Sequence, residues 1–210
     1  MQDIATKHLE TESNVVMIPV MDTYANLTRK VKEGIHWIIK NGNPRWLLKI
    51  DDDNIAKLEV LENYLKSNFS DVNHLYMGAM MEDSVILRKN SKWAETNYKK
   101  DNPLASYPKY ANGCTGYILS NSIIRYIGDN SEKLFNYHNE DTAIGIWINE
   151  SSIAKKGQIT YVDETNKKWL VFHSNFYCKQ PKHRKYLVMG HNLSPVKIRK
   201  CYNYLFKKNS

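Results

Sequence analysis

The sequence predicts an α/β fold with a mainly parallel central sheet. Short apolar runs alternate along the chain with amphipathic helical periods, the pattern of strand–helix units. Several of those runs are apolar at successive positions, as strands covered on both faces are. The 210 residues contain no repeats, low-complexity tracts or Gly/Ser linkers, so residues 1–210 read as one domain.

Val15 to Val20 is the first strand candidate, short and β-branched. Asp22 or Thr23 can cap a helix with Leu27, Val31, Ile35 and Ile38/Ile39 on one face, which Gly42 closes and Pro44 ends. Trp46 to Ile50 suits a buried central strand and runs straight into Asp51-Asp52-Asp53. A second helix is expected with Ile55, Leu58, Leu61 and Leu65 on one face, then strands at Leu75 to Ala79 and Ser84 to Arg88, which read as a hairpin. Residues 89–113 read as a long polar loop carrying Trp93, Tyr98, Tyr107 and Tyr110, and loops of that length are usually functional or mobile. Thr115 to Leu119 reads as a strand, and Ser120 caps a helix through Ile123, Ile124 and Ile127. Glu140-Asp141 opens another helix, Leu170 to His173 is strand-like, and Ser194-Pro195 starts a last helix through Val196, Cys201 and Leu205.

Lys and Arg total 30 against 22 Asp and Glu, a formal charge of +8. The basic residues are scattered and match no nucleic-acid module, so no nucleic-acid partner is expected. No run approaches the roughly 18 apolar residues of a membrane span, and no secretory signal follows Met1. Cys114, Cys178 and Cys201 fit no metal spacing; Cys178 with Cys201 is the pair to test in an oxidising compartment.

Three adjacent carboxylates at the end of an apolar strand repel one another unless a cation offsets them. At the carboxyl end of a strand they face the crevice where α/β sheets bind ligands, and their oxygens suit Mg²⁺ or Mn²⁺ beside a diphosphate. The alternative is an acidic turn capping the next helix through Asp53. Glu140-Asp141 at a helix start offers a general base, or a plain cap. His173, inside an apolar stretch, reads on its own first as a core histidine, with a neutral imidazole ligand as the alternative.

Five segments occur in order: Asp22-Thr23-Tyr24-Ala25-Asn26-Leu27-Thr28-Arg29-Lys30, Trp46 to Asp53, Tyr107 to Gly113, Gly116-Tyr117-Ile118-Leu119-Ser120, and Glu140 to Gly145. Together they resemble the β-1,3-galactosyltransferase family, glycosyltransferase family 31, with its D-x-Y-x-N-L-T-x-K, K-x-D-D-D, Y-P-x-Y-x-x-G-x-G-Y and E-D-V-x-x-G blocks. Two departures stand out: the glycine block Gly113-Cys114-Thr115-Gly116-Tyr117 is one residue longer, and Thr142 replaces the valine.

The resemblance implies a GT-A-like nucleotide-sugar-binding sandwich, a UDP-sugar donor, Mn²⁺, and inverting transfer of a hexose in β-1,3 linkage to a glycan on a glycoprotein or glycolipid. It implies Asp53 and His173 as metal ligands, with Asp51 and Asp52 toward the ribose and the metal shell. Asp141 matches the base, with Glu140 beside it. Lys30 is assigned to the donor phosphates, Gly113, Gly116 and Tyr117 to the donor-sugar loop, and Trp93 to the substrate side. Met1 falls about twenty residues before the first block, so the family's first βα units and its membrane anchor are expected to be missing. The resemblance implies a type II membrane protein of the Golgi lumen, or else an inactive shortened relative that binds glycan or nucleotide-sugar.

Overall fold

The computed structural model describes residues 15–102, 104–171 and 181–206. Its centre is a four-stranded sheet of β1 (Trp46–Lys49), β3 (Leu75–Gly78), β6 (Tyr117–Ser120) and β7 (Thr160–Asp163), in the order β1-β6-β3-β7. A three-stranded sheet combines β2 (Asn54–Ala56), β8 (Trp169–Val171) and β9 (Val188–Gly190) in the order β2-β9-β8. A short pair joins β4 (Met80–Met81) to β5 (Tyr110–Ala111). The helices are α1 (Leu27–Asn41), α2 (Leu58–Phe69), α3 (Asn121–Asp129), α4 (Glu140–Glu150), α5 (Ser152–Lys155) and α6 (Pro195–Phe206). Among the described residues, no helix is long and apolar enough to cross a membrane.

Period-two alternation on the central strands divides the core into two layers. Tyr76, Tyr117 and Leu119 point to one side, where they meet Ile35 of α1, Ile123, Ile124 and Ile127 of α3, and Ala143, Ile144 and Trp147 of α4. Leu75, Met77 and Ile118 point to the other, against Leu61 and Leu65 of α2, Trp169 and Val188. Each fully buried isoleucine in such a layer contributes about 1.5–3 kcal/mol. The isoleucines read from helical spacing in α3 are all in that first layer.

The α/β class holds, but the central sheet is mixed rather than mainly parallel. β6 runs antiparallel to both β1 and β3, and only β3 and β7 are parallel. Parallel neighbours need a crossover, usually helical; the chain between β3 and β6 has no α-helix among its described residues and returns through the short β4–β5 pair and a long loop. β1 is accordingly half-buried at an edge of the described sheet rather than central.

Three other expectations are corrected. Val15 to Val20 forms no strand; Val15 is 46% and Met17 65% exposed, with no strand beside them among the described residues. Ile55 lies in β2 rather than a helix, because β9 pairs with residues 54–56, so α2 starts at Leu58 with that side chain in solvent. Ser84 to Arg88 is not a hairpin strand; an isolated bridge from Val85 to Ser106 stands in its place. Leu170 begins within β8 as expected, while His173 and Cys178 lie outside the described residues.

Candidate active site

The antiparallel pairing of β1 and β6 brings distant acidic segments together. Lys49 at the end of β1 sits opposite Tyr117 at the start of β6. Beyond Lys49 the chain enters Asp51-Asp52-Asp53; before Tyr117 it passes through a single 3-10 turn, Gly113–Thr115. Gly116 lets the two ends approach. Its φ is +74°, and a Cβ there would stand 2.0 Å from the Lys49 carbonyl oxygen, so only glycine fits.

Lys49 is the centre of the charge network. Its Nζ lies 2.7 Å from Asp51 Oδ1 and 3.1 Å from Glu140 Oε2. Burial alone would depress this ammonium, but the carboxylates of Glu140 and Asp51 outweigh it and hold its pKa above the ordinary lysine range. Glu140 is 5% exposed, and the Tyr117 hydroxyl donates to its other oxygen. Burial pushes Glu140 up, against the pull of Lys49. It does the same to the enclosed Tyr117 phenol, which Glu140 raises further.

Asp141 is held differently. Its Oδ2 accepts the Gly113 N–H at 3.0 Å and its Oδ1 accepts the Thr142 N–H at 2.8 Å. Burial raises its pKa while those two amides and Lys49 draw it down; the net shift is upward. Asp141 lines a cleft of about 260 Å³ with Trp93, Tyr107, Tyr110, Cys114 and Asn139 among its walls. Burial, and then the charge of Asp141, also raises the Cys114 thiol. An anchored carboxylate of raised pKa at a cleft wall can take a proton from a ligand hydroxyl.

Asp53 stands on the other side of the triplet, against the turn after β9. Its Oδ2 accepts the Asn192 N–H at 2.8 Å and lies 3.8 Å from His191 Nδ1; its Oδ1 accepts Asn54 Nδ2 at 2.7 Å. Gly190, His191 and Asn192 have φ of 151°, 96° and 61°, three consecutive residues in a region that side-chain-bearing residues rarely enter. Such strain persists where the surroundings over-determine it, often at ligand sites. One carboxylate and one imidazole, each about one-third exposed at the rim, form a donor pair suited to a divalent cation that takes its other ligands from phosphate and water. Among the described residues, no group of three or more His, Cys, Asp or Glu side chains is placed to hold a metal.

Of the residues singled out in the sequence, Asp51, Gly113, Gly116, Tyr117, Glu140 and Asp141 are linked directly through these contacts. Asp52 is exposed, and Lys30 pairs with Asp22 at 2.8 Å on the surface of α1. Sequence reasoning passed over Lys49 and His191. The lysine was visible as the one charge in an otherwise apolar strand; the histidine was visible as a polar residue after the apolar run Leu187 to Met189 and its closing Gly190, ahead of the Ser194-Pro195 helix start.

Residues 1–158 match the family model described as Galactosyltransferase. The chain belongs to that family. It is 31% identical over 135 residues to UDP-GalNAc:beta-1,3-N-acetylgalactosaminyltransferase 2 of Homo sapiens, covering 64% of this chain and 26% of that protein. It is 34% identical over 148 residues to hydroxyproline O-galactosyltransferase GALT5 of Arabidopsis thaliana, covering 68% of this chain and 21% of the relative. The matching region thus spans about a quarter of the length of these relatives.

Proposed function

We propose that this galactosyltransferase-family chain carries the base and the donor-phosphate side of an inverting, metal-dependent transferase. It would move a hexose from a UDP-sugar to a glycan hydroxyl on a glycoprotein or glycolipid, in β-1,3 linkage, in the Golgi lumen. The observation that carries the reading is the Lys49 bridge, which joins the Asp51–Asp53 turn to Glu140-Asp141 in one network. Its similarity to a β-1,3-N-acetylgalactosaminyltransferase and a hydroxyproline O-galactosyltransferase supports it.

Asp53 and His191 would hold Mn²⁺, whose charge, when bound, favours departure of a diphosphate. The chain's own groups do the rest. Gly113 and Thr142 N–H groups fix the Asp141 carboxylate, leaving its remaining lone pairs to the cleft. The acceptor oxygen forms a bond to the anomeric carbon as the bond to UDP breaks, and its proton passes to Asp141. A single displacement on the face opposite UDP inverts the anomeric centre. Glu140, committed to Lys49 and Tyr117, positions the first turn of α4.

The test is transfer of radiolabel from UDP-galactose, UDP-N-acetylgalactosamine and UDP-N-acetylglucosamine to free methyl glycosides by the full-length protein. Mn²⁺-dependent transfer from one donor, abolished by a chelator, is the expected result. UDP binding with no transfer from any of the three would overturn the reading in favour of a binding protein.

A further inference from the structure

The loop between β4 and β5 contains a carboxylate that the reaction above does not use. Glu95 is fully buried, at 0% exposure. Its Oε1 accepts the N–H groups of Asn97 at 2.6 Å and Tyr98 at 3.2 Å, and its Oε2 accepts the N–H of His138 at 2.8 Å. A buried carboxylate is retained only where such donors satisfy it, and charge-assisted bonds of this kind are about twice as strong as neutral ones.

The three bonds join two separate segments. Asn97 and Tyr98 belong to the loop, whereas His138 lies three residues before Asp141. The junction is reinforced from both sides: Asn139 Nδ2 donates to the Trp93 carbonyl at 2.8 Å, and His138 Nε2 lies 2.8 Å from the Lys92 carbonyl. The Arg88 guanidinium stiffens the loop from within, reaching the carbonyls of Glu95, Tyr98, Lys99 and Asn102. The side chain carried by this braced segment is Trp93, a cleft wall together with Asp141 yet 52% exposed, with Lys92 Nζ 4.7 Å from its ring centre. A loop braced so heavily to leave an indole in solvent is organised for a ligand. The ring offers an apolar face, and sugar rings present C–H faces with their hydroxyls at the edges.

We propose that Trp93 is the acceptor platform, stacking on the C–H face of a hexopyranose, and that Glu95 is the positioning residue that fixes it relative to Asp141. The proposal rests on the transferase reading for the identity of the acceptor, but the stacking itself does not require turnover.

Two measurements on the full-length protein separate the two. Saturation-transfer NMR of the methyl β-glycosides of galactose, N-acetylglucosamine and N-acetylgalactosamine reads binding without chemistry. At least one should receive saturation at its ring C–H protons, lost in Trp93→Ala and kept in Trp93→Phe, with UDP affinity unchanged as a check on folding. In the transfer assay, Trp93→Ala and Glu95→Gln should each raise acceptor KM about tenfold while kcat and donor KM stay within about twofold; Trp93→Phe should recover most of the loss. Glycoside binding without transfer would uphold the platform and sink the transferase reading. Transfer with unchanged acceptor KM in Trp93→Ala, or no glycoside binding by the wild type, would overturn the platform. Loss confined to kcat in Glu95→Gln would overturn its positioning role.

Discussion

The two acidic clusters are built on opposite plans. Asp51, Asp52 and Asp53 sit in a turn, from half-buried to exposed, and are held by side chains and by the strained segment 190–192. Glu140 and Asp141 open a helix and are enclosed, one by Lys49 and Tyr117, the other by backbone amides. The first plan leaves carboxylate oxygens at the rim, where a cation and its phosphate ligands can complete a site. The second fixes orientation before any ligand arrives, which is what a proton acceptor needs. On the proposed reading, this difference in enclosure is the difference between a cation site and a base.

The sharpest way to break that division is Asp141→Asn. The amide keeps the size and can still accept one of the two backbone N–H groups, but it cannot accept the proton. Transfer should fall about 10²–10⁴-fold with UDP affinity within about twofold, as expected for a group used mainly in the transition state. Near-normal turnover would move the base elsewhere.

Gly116→Ala tests the junction that brings the clusters together. A methyl group would meet the Lys49 carbonyl, and the positive φ adds strain. Stability should fall by about 2–4 kcal/mol, read as a lowered denaturant midpoint. An unchanged midpoint would mean that β1 and β6 tolerate separation.

Asp53→Ala addresses the rim. Mn²⁺-dependent UDP binding should weaken roughly 10–100-fold, measured by calorimetric titration, while the melting temperature changes little because Asp53 is outside the core clusters. If metal and nucleotide affinity survive, the triplet is a structural turn.

The smallest effect concerns pH. Asp141 must be ionised to accept a proton, and its pKa is raised by burial. Activity should therefore decline as pH falls through a value above the ordinary aspartate range. Lys49 opposes that rise, so Lys49→Met should move the acid limb of kcat/KM to higher pH. A limb that stays put would show that Asp141 is insulated from the bridge.

Local pattern alone determined a good deal of this protein. Helical spacing placed Ile123, Ile124 and Ile127 in the core, and the Ser194-Pro195 pair marks a helix that does begin at Pro195. The acidic triplet after an apolar strand and the Glu140-Asp141 helix start were legible because each is a contiguous signal. Strand direction was not, since it depends on whether the intervening chain crosses over or turns back; β6 turns back, and the sheet is mixed. Ile55 followed the helical spacing of its neighbours but was claimed by β9, a partner more than 130 residues away. Only the tertiary structure decided that Lys49 bridges Asp51 to Glu140, that His191 faces Asp53, and that Glu95 braces the Trp93 loop against residue 138. Each of those contacts joins segments remote in sequence, and no local period or propensity encodes which remote groups the packing of the sheets will bring within 4 Å.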